Sequence, residues 1–154
     1  MKIGIADTMF STVDMFSFAE MAVNDSKESL TIERYTVPGF KDLPVAAKKL
    51  IEEFDCAIVV ALGMAGKEEI DRICATEAST GLIQAELLTN THILKVFVHM
   101  DEATSDEDLV ALTKDRVYKH TQNAIALMKG KTELSKDSGK GIRQGRKHVG
   151  GISQ

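Results

Sequence analysis

Chemically versatile residues follow each of the four short apolar stretches of this sequence. They lie in the segments Asp7–Ser11, Pro38–Pro44, Gly63–Lys67 and His99–Glu102. If the apolar stretches are parallel strands, the four segments meet at one edge of a sheet, where such folds bind ligands. Aromatic rings there could stack on a flat ligand, carboxylates could bind hydroxyl groups, and a histidine could transfer protons near neutral pH.

Each candidate also has an ordinary structural explanation. Phe10 could pack against the first helix, and Asp42 could cap the second helix. Lys67 could be a solvated lysine, and a histidine at a strand end, such as His99, is more often structural than catalytic. Glu77 is harder to explain, because it falls on the apolar side of a predicted helix, where a carboxylate must be paired or face a subunit interface.

The sequence lacks the common phosphate-binding motifs. Neither GxGxxG nor GxxxxGK[ST] occurs, and Gly63–Lys67 has the wrong spacing for a P-loop. The commonest nucleotide-binding classes are therefore excluded.

The elements that would position these residues alternate between strands and helices. Apolar stretches at 2–6, 31–37, 56–62 and 93–98 predict strands, and the 56–62 run is typical of a central parallel strand. Helical spacing appears after each strand, and capping signals at Ser11–Asp14 and Thr104–Glu107 begin the first and fourth helices. The predicted apolar side of the third helix consists of Ile70, Ile73, Cys74, Ala78, Leu82, Ala85 and Leu88. Right-handed crossovers then give an α/β fold, a doubly wound four-stranded parallel sheet flanked by helices.

Composition restricts the class of protein. With 154 residues, of which 44% are hydrophobic and 27% charged, the chain is expected to form a soluble globular fold. No apolar run reaches the ~18 residues of a membrane span, and the N-terminus lacks a signal-peptide core, so we expect a cytoplasmic location and no membrane partner. Cys56 and Cys74 form neither a CxxC pair nor a disulfide framework.

Charge is unevenly distributed along the chain. Residues 129–154 contain seven Lys and Arg residues against two acidic ones, whereas the whole chain has a net charge of −4. The rest of the chain is therefore acidic, and an acidic body with a basic tail is not a broad nucleic-acid-binding surface. We therefore expect an α/β domain over residues 1–130. The basic, glycine-rich C-terminal segment over 131–154 is either part of that fold or a solvated, partly disordered end.

Several stretches resemble the lumazine synthase family. Val37–Pro44 is similar to the family segment in which a Pro-Gly turn and a carboxylate hold a ribityl chain, and Thr76–Ile83 matches its third-helix pattern. Phe10 and Ser11 occupy the place of a Phe-Asn pair whose ring stacks on the heterocycle, and Phe97 that of a second aromatic near the neighbouring subunit's site. The resemblance covers about residues 3–145. It implies a flavodoxin-like topology and a homopentamer with sites at the subunit interfaces.

The departures from that family concern its phosphate contacts. Gly66–Asp71 contains neither the Thr that contacts phosphate nor the His that moves protons, and Asp137 replaces a phosphate-binding Arg. A carboxylate there would repel a phosphate dianion. These departures, together with stretches such as Ala61–Met64 and Gly139–Gly145, resemble the archaeal-type riboflavin synthases, paralogues that bind two lumazine molecules instead.

The resemblance implies a transferase reaction. Two molecules of 6,7-dimethyl-8-ribityllumazine would dismutate by transfer of a four-carbon unit, giving riboflavin and 5-amino-6-(D-ribitylamino)uracil. No redox cofactor is implied. His99, Asp101 and Glu102 could ligate a divalent cation such as Mg²⁺, but a loop of solvated charges is the preferred interpretation, so no metal site is predicted.

The resemblance and the strand-end positions together give a set of candidate site residues. His99 is the candidate proton carrier, with Glu77 and Lys67 as further catalytic candidates. The candidate substrate-binding residues are Thr8, Phe10, Ser11, Gly39, Phe40, Lys41, Asp42, Leu62, Gly63, Met64, Phe97 and Lys140.

Three other functions fit part of this pattern. A lumazine synthase would share the pocket but need the missing Thr and His. An FMN-binding flavodoxin-like electron carrier would need Thr8–Thr12 as its phosphate loop, which has hydroxyl groups but no glycine. A receiver-like signalling domain would need a carboxylate at the end of the third strand, where Ala61–Gly63 provides none.

Overall fold

All four strands run parallel in a single sheet. The computed structural model of the chain describes all 154 residues. The strands are β1 (Lys2–Thr8), β2 (Thr31–Val37), β3 (Cys56–Ala65) and β4 (Ile93–His99), hydrogen-bonded in the order β2-β1-β3-β4. The helices are α1 (Met15–Asp25), α2 (Leu43–Glu52), α3 (Glu69–Thr89) and α4 (Asp106–Lys129). Strands and helices alternate along the chain, which confirms the predicted doubly wound α/β fold.

The helices bury both faces of this sheet. α2 and α3 cover one face around a core that contains Leu43 and Leu82. α1 and α4 cover the other face around Ile5, Leu62 and Val117. β3 lies in the middle of the sheet and is buried along nearly its whole length, as its continuous apolar sequence predicts.

Element boundaries differ slightly from the predicted ones. β1 and β3 continue to Thr8 and Ala65, so polar Thr8 still belongs to a strand. α1 begins after Asp14, whose carboxylate accepts a hydrogen bond from the Ser17 N–H at 3.3 Å. α4 is capped by Ser105, one residue later than the capping box predicted from Thr104.

The apolar side of α3 was only partly predicted. Its buried residues are small or lie near the centre of the helix: Ala75, Ala78, Leu82 and Ala85. Ile70 and Leu88 point outward instead and are 58% and 74% exposed. Small residues allow close packing against α2, and a Cβ atom at Gly81 would come within 2.8 Å of Pro44 Cγ. No helix combines the length and the apolar content that crossing a bilayer requires.

The C-terminal segment folds back onto α4. After a 3₁₀ turn at Ser135–Asp137, the Gly145 N–H donates to the Asp115 carboxylate at 2.9 Å. Further along, the Val149 N–H donates to the Gly141 carbonyl oxygen at 2.9 Å. Backbone hydrogen bonds therefore tie this segment to the α/β body and to itself.

A close approach between β3 and the β2–α2 turn explains one glycine. Gly63 lies against the ring of Phe40, and a Cβ atom at Gly63 would fall 2.3 Å from Phe40 Cε1. Gly39 has no such neighbour, because nothing lies within 4 Å of the place where its Cβ would be. Its φ of −156° is extended backbone that any residue adopts.

These two glycines give a matched test of the packing. Gly63→Ala should lower the free energy of unfolding by about 1–3 kcal/mol, because Phe40 must move away from the added methyl group. Gly39→Ala should change it by less than about 0.5 kcal/mol. Chemical denaturation followed by circular dichroism measures both, and equal effects would contradict the described contact.

Candidate active site

A cavity of about 430 Å³ opens at the carboxyl edge of the sheet. It lies between the loop after β1, the turn between β2 and α2, the end of β3 and the start of α3. The residues that line it are Phe10, Pro38, Gly39, Phe40, Lys41, Asp42, Ala65, Asp71 and Cys74. Three of the four segments singled out in the sequence therefore meet here, and the segment after β4 does not.

Phe10 presents its ring at this cavity. The residue is 50% exposed, and its ring lies beside Gly66, where an added Cβ atom would be 3.4 Å from Phe10 Cζ. A residue held in place by packing against the first helix would be far more buried, so that alternative is not supported. The exposed face of the ring can stack on a flat ligand.

Asp42 supplies an unpaired carboxylate to the same cavity. It occupies the position before α2, yet its side chain makes no capping hydrogen bond. The reason is its backbone: a 3₁₀ turn at Phe40–Asp42 leads directly into α2, so Asp42 is already helical, whereas a capping residue is usually extended. The capping alternative is therefore wrong. The carboxylate oxygens can accept hydrogen bonds from ligand hydroxyl groups.

Lys41 and Glu77 form an ion pair beside the cavity. Nζ of Lys41 lies 3.1 Å from Oε2 of Glu77, and both side chains are more than half exposed. The hydrogen bond to Glu77 raises the pKa of Lys41 above its ordinary value. The predicted place of Glu77 on the apolar side of α3 is wrong, because the residue is exposed. Pairing was one of the two environments predicted for its carboxylate, and the structure shows that pairing with Lys41.

The cavity lining is acidic. Asp42 and Asp71 both contribute carboxylates, and Lys41, the one cation in the lining, is already paired with Glu77. A carboxylate lining disfavours a phosphate dianion. It suits a ligand that offers hydroxyl groups as donors.

Two phenylalanines pack against each other behind the cavity. The rings of Phe40 and Phe97 meet edge to face, with centroids 4.6 Å apart and an angle of 78° between their planes. Phe40 lines the cavity, whereas Phe97 is partly exposed on β4 and does not reach it. Phe97 therefore contacts the lining residue Phe40 without lining the cavity itself.

Some predicted substrate-binding residues have their side chains in the core. Leu62 and Met64 are fully buried on the sheet face covered by α1 and α4, away from the cavity. Met64 accepts a hydrogen bond through its sulfur from the hydroxyl of Thr12, at 3.3 Å. Only backbone groups of these two residues could contact a ligand.

Other predicted residues lie in separate hollows. Lys67 lines a cavity of about 450 Å³ beside the start of α4. Thr8 and Ser11 line a polar cavity of about 220 Å³. Lys140 is 60% exposed in its side chain and lies 3.6 Å from Asp137. These four residues do not share the cavity that contains Phe10 and Asp42.

A buried carboxylate at the end of β1 is fully used by the fold. Asp7 is 6% exposed and accepts hydrogen bonds of 2.6 Å from both Arg34 and Thr36 on β2. The hydrogen bond to Asp7 raises the pKa of Arg34, whose guanidinium also lies 4.0 Å from the centre of the Phe16 ring. Asp7 therefore joins two strands rather than facing the cavity.

The segment after β4 is a network of charged groups. The backbone N–H of His99 donates to the Glu102 carboxylate at 2.9 Å. Glu102 also accepts from Arg116 at 2.7 Å and from Arg146 at 2.6 Å. Asp101 pairs with Arg72. The sequence offered one signal for Arg116 that was missed: it lies seven residues after Leu109, on the apolar side of the fourth helix. In the structure Arg116 is 8% exposed.

The carboxylates near His99 are thus occupied by arginines. No group of three or more histidine, cysteine, aspartate or glutamate side chains is placed to hold a metal ion. Burial would raise the pKa of the Glu102 carboxyl, but hydrogen bonds from Arg116, from the His99 N–H and from Arg146 outweigh it and lower the pKa from 4.5 to about 2. Glu102 is therefore ionised at neutral pH.

Fold and cavity together define a class of protein. A parallel α/β sheet with an aromatic ring, an unpaired carboxylate and a concave space at its carboxyl edge is a small-molecule-binding enzyme scaffold. Residues 1–132 match the family model described as 6,7-dimethyl-8-ribityllumazine synthase. The chain belongs to this enzyme family.

Relatives similar over nearly the full chain have a more specific name. A riboflavin synthase of Methanothermobacter marburgensis is 52% identical over 149 residues, 97% of each chain. The riboflavin synthase of Archaeoglobus fulgidus is 44% identical over 99% of each chain. A 6,7-dimethyl-8-ribityllumazine synthase of Methanopyrus kandleri is 33% identical, but over 46% of this chain and 51% of its own.

The lowered pKa of Glu102 predicts a pH-dependent stability. A carboxyl whose pKa is lower in the folded state stabilises the fold above its ordinary pKa, and this stabilisation is lost as the pH falls from about 4.5 towards 2. The difference corresponds to about 3 kcal/mol. Glu102→Gln should therefore be less stable than the wild type at pH 7, and the gap should narrow below pH 4.5.

Denaturant unfolding between pH 7 and pH 3 measures this gap. Glu52→Gln is the matched control, because it removes one partner of an exposed pair with Lys48 and should cost less than about 1 kcal/mol. A gap for Glu102→Gln that stays constant with pH would contradict the assignment.

Proposed function

We propose that this chain is a riboflavin synthase. It transfers a four-carbon unit between two molecules of 6,7-dimethyl-8-ribityllumazine and releases riboflavin and 5-amino-6-(D-ribitylamino)uracil. Support comes from relatives named riboflavin synthase that are 43–52% identical over nearly the full chain. The structural observation that favours it is the cavity beside Phe10, whose lining includes the carboxylates of Asp42 and Asp71.

Residue roles follow from the placement of the side chains. The ring of Phe10 stacks on the heterocycle, and Asp42 accepts hydrogen bonds from the ribityl hydroxyl groups. Lys41 and Glu77, as a pair, fix the turn that holds Asp42. Holding two rings together removes much of the entropic cost of the bimolecular step. The reaction is redox-neutral over the two substrates, so no redox cofactor is required. No metal site is proposed either, so we expect turnover to persist in the presence of a metal chelator.

His99 is our candidate for proton transfer. It lies at the carboxyl end of β4 with its backbone fixed by Glu102, but it does not line the cavity of its own chain. It therefore acts, in this proposal, on a substrate held across a subunit boundary. Lys67 lines the cavity of about 450 Å³ beside the start of α4 and has no ion-pair partner. It remains a second candidate.

The outward face of α3 supports assembly with further copies of the chain. Five large apolar side chains on this helix are exposed by 44–78%: Ile70, Ile73, Ile83, Leu87 and Leu88. Large exposed apolar surfaces usually mark protein interfaces. We propose a homopentamer in which α3 contributes to the contact between subunits and Phe97 approaches the neighbour's site. A mass measurement of the assembly tests the subunit number. The cytoplasmic location expected from the sequence stays a prediction.

A lumazine synthase is the second candidate function. The partial relative from Methanopyrus kandleri favours it. Its substrate would have to bring a phosphate group to a cavity lined by Asp42 and Asp71. The charge of the cavity therefore favours the riboflavin synthase reaction.

Incubation of the purified protein with 6,7-dimethyl-8-ribityllumazine alone is the direct test. Two molecules of substrate should disappear for each riboflavin formed, and one molecule of 5-amino-6-(D-ribitylamino)uracil should be released. Fluorescence and chromatography measure all three. Absence of riboflavin from a folded preparation would contradict the proposal, as would formation of lumazine from a phosphorylated precursor.

The proposed roles of Asp42 and His99 predict different kinetic effects. Asp42→Ala should raise KM by about tenfold or more, because a hydrogen bond to a charged group is lost. His99→Ala should lower kcat by about 10²-fold with little change in KM. Glu20→Ala, at an exposed carboxylate on α1, is the control and should match the wild type. Near-normal turnover of His99→Ala would remove His99 from the mechanism.

A further inference from the structure

A partly buried ion pair lies at the outer edge of β4, near the carboxyl end of the strand. This strand ends the sheet order, so no other strand covers its far side. Arg116 Nη1 donates to the Phe97 carbonyl oxygen at 3.1 Å, and Glu102 Oε2 accepts from the His99 N–H at 2.9 Å. Two hydrogen bonds of 2.7 and 3.0 Å join Arg116 to Glu102. The pair supplies one donor and one acceptor to the edge, as a fifth strand would.

The same pair holds the C-terminal segment. Arg116 Nε donates to the Gln144 carbonyl oxygen at 3.1 Å, and Arg146 Nη2 donates to Glu102 Oε1 at 2.6 Å. Gly145 lies directly against Arg116: a Cβ atom there would fall 2.6 Å from Arg116 Nε, and the φ of +77° also favours glycine. The contact is therefore close and specific.

Stability alone does not account for this arrangement. Arg116 is 8% exposed and the Glu102 side chain 13%, so both charges are costly to desolvate. Apolar side chains of similar size often stabilise a fold equally well. A guanidinium offers something that they do not, a rigid set of donors with fixed directions. It fixes the end of β4 and the segment 144–146 relative to each other.

We propose that Arg116 and Glu102 are positioning residues for the reaction under "Proposed function". They hold Phe97 and His99 at the end of β4, together with the segment 144–146, in one arrangement. The inference rests on that proposed function, because it assigns a purpose to the position of His99.

The positioning residues act without touching the cavity. Neither Arg116 nor Glu102 lines the space beside Phe10 and Asp42. Their effect on the reaction must pass through the groups that they hold. The proposed contacts of Phe10 and Asp42 with the substrate stay in place, so disturbing the pair should lower kcat more than it raises KM.

Two variants disturb the arrangement in different ways. Arg116→Lys keeps the positive charge but replaces three nitrogens in a rigid plane, which bond to Glu102, Phe97 and Gln144, with a single nitrogen. Gly145→Ala keeps both side chains of the pair and pushes a methyl group against Arg116. Gly150→Ala is the matched control, because its φ of +86° gives the same backbone strain while nothing lies within 4 Å of the added Cβ.

Steady-state kinetics and amide hydrogen exchange are measured on all three variants and the wild type. For Arg116→Lys and Gly145→Ala we expect kcat to fall at least about tenfold and KM to change less than about threefold. The His99 amide should exchange at least about tenfold faster in Arg116→Lys. Gly150→Ala should stay within about twofold of the wild type in every quantity.

Three results would overturn the inference alone. These are a kcat within twofold of the wild type for both test variants, a loss proportional to the unfolded fraction seen by circular dichroism, or an equal loss in Gly150→Ala. Failure of the wild type to form riboflavin is a separate outcome. It overturns the proposed function, and the positioning role falls with it.

Discussion

The common direction of the four strands is the constraint on which the rest of this structure depends. β3 is apolar on both faces, so both faces of the sheet must be covered. Parallel neighbouring strands require crossover connections, and the helices in these connections cover the two faces. As a consequence, every loop that follows a strand emerges at the same edge. Phe10 and Asp42 are far apart in the sequence, and they line one cavity because β1 and β2 end side by side.

Charges at this edge are divided between two tasks. The carboxylate of Asp7 is buried and that of Glu102 is partly buried, and both are paired with arginines, so they join strands and segments to one another. Asp42 is left without a protein partner and faces open space. A carboxylate that the fold does not use is free for a ligand, whereas the paired ones connect strands and segments outside the cavity.

Sequence reasoning predicted the features that depend on local pattern. Continuous apolar runs identified the four strands, and the order of elements identified the parallel sheet. It missed features that depend on partners distant along the chain. The outward position of Ile70 could not be read from periodicity, because α3 buries a face of alanines and α2 approaches it closely. The role of Arg116 depends on Glu102 and on the segment around Gln144, which no local pattern links. For Leu62 and Met64, the strand face decides where the side chains lie: both are in the core, so only their backbone groups could reach a ligand.

The hydrogen bonds made by the segment after α4 extend the folded unit beyond the last helix. The last helix stops at Lys129, yet contacts with the body continue as far as Gly145 and Arg146, and the chain closes on itself at Val149. A shortened chain that ended with the helix would remove the Gln144 carbonyl oxygen that accepts from Arg116 and the Arg146 guanidinium that donates to Glu102. Fusion partners therefore belong after Val149, where Ile152 is already 94% exposed, and not at the apparent boundary that the helix suggests.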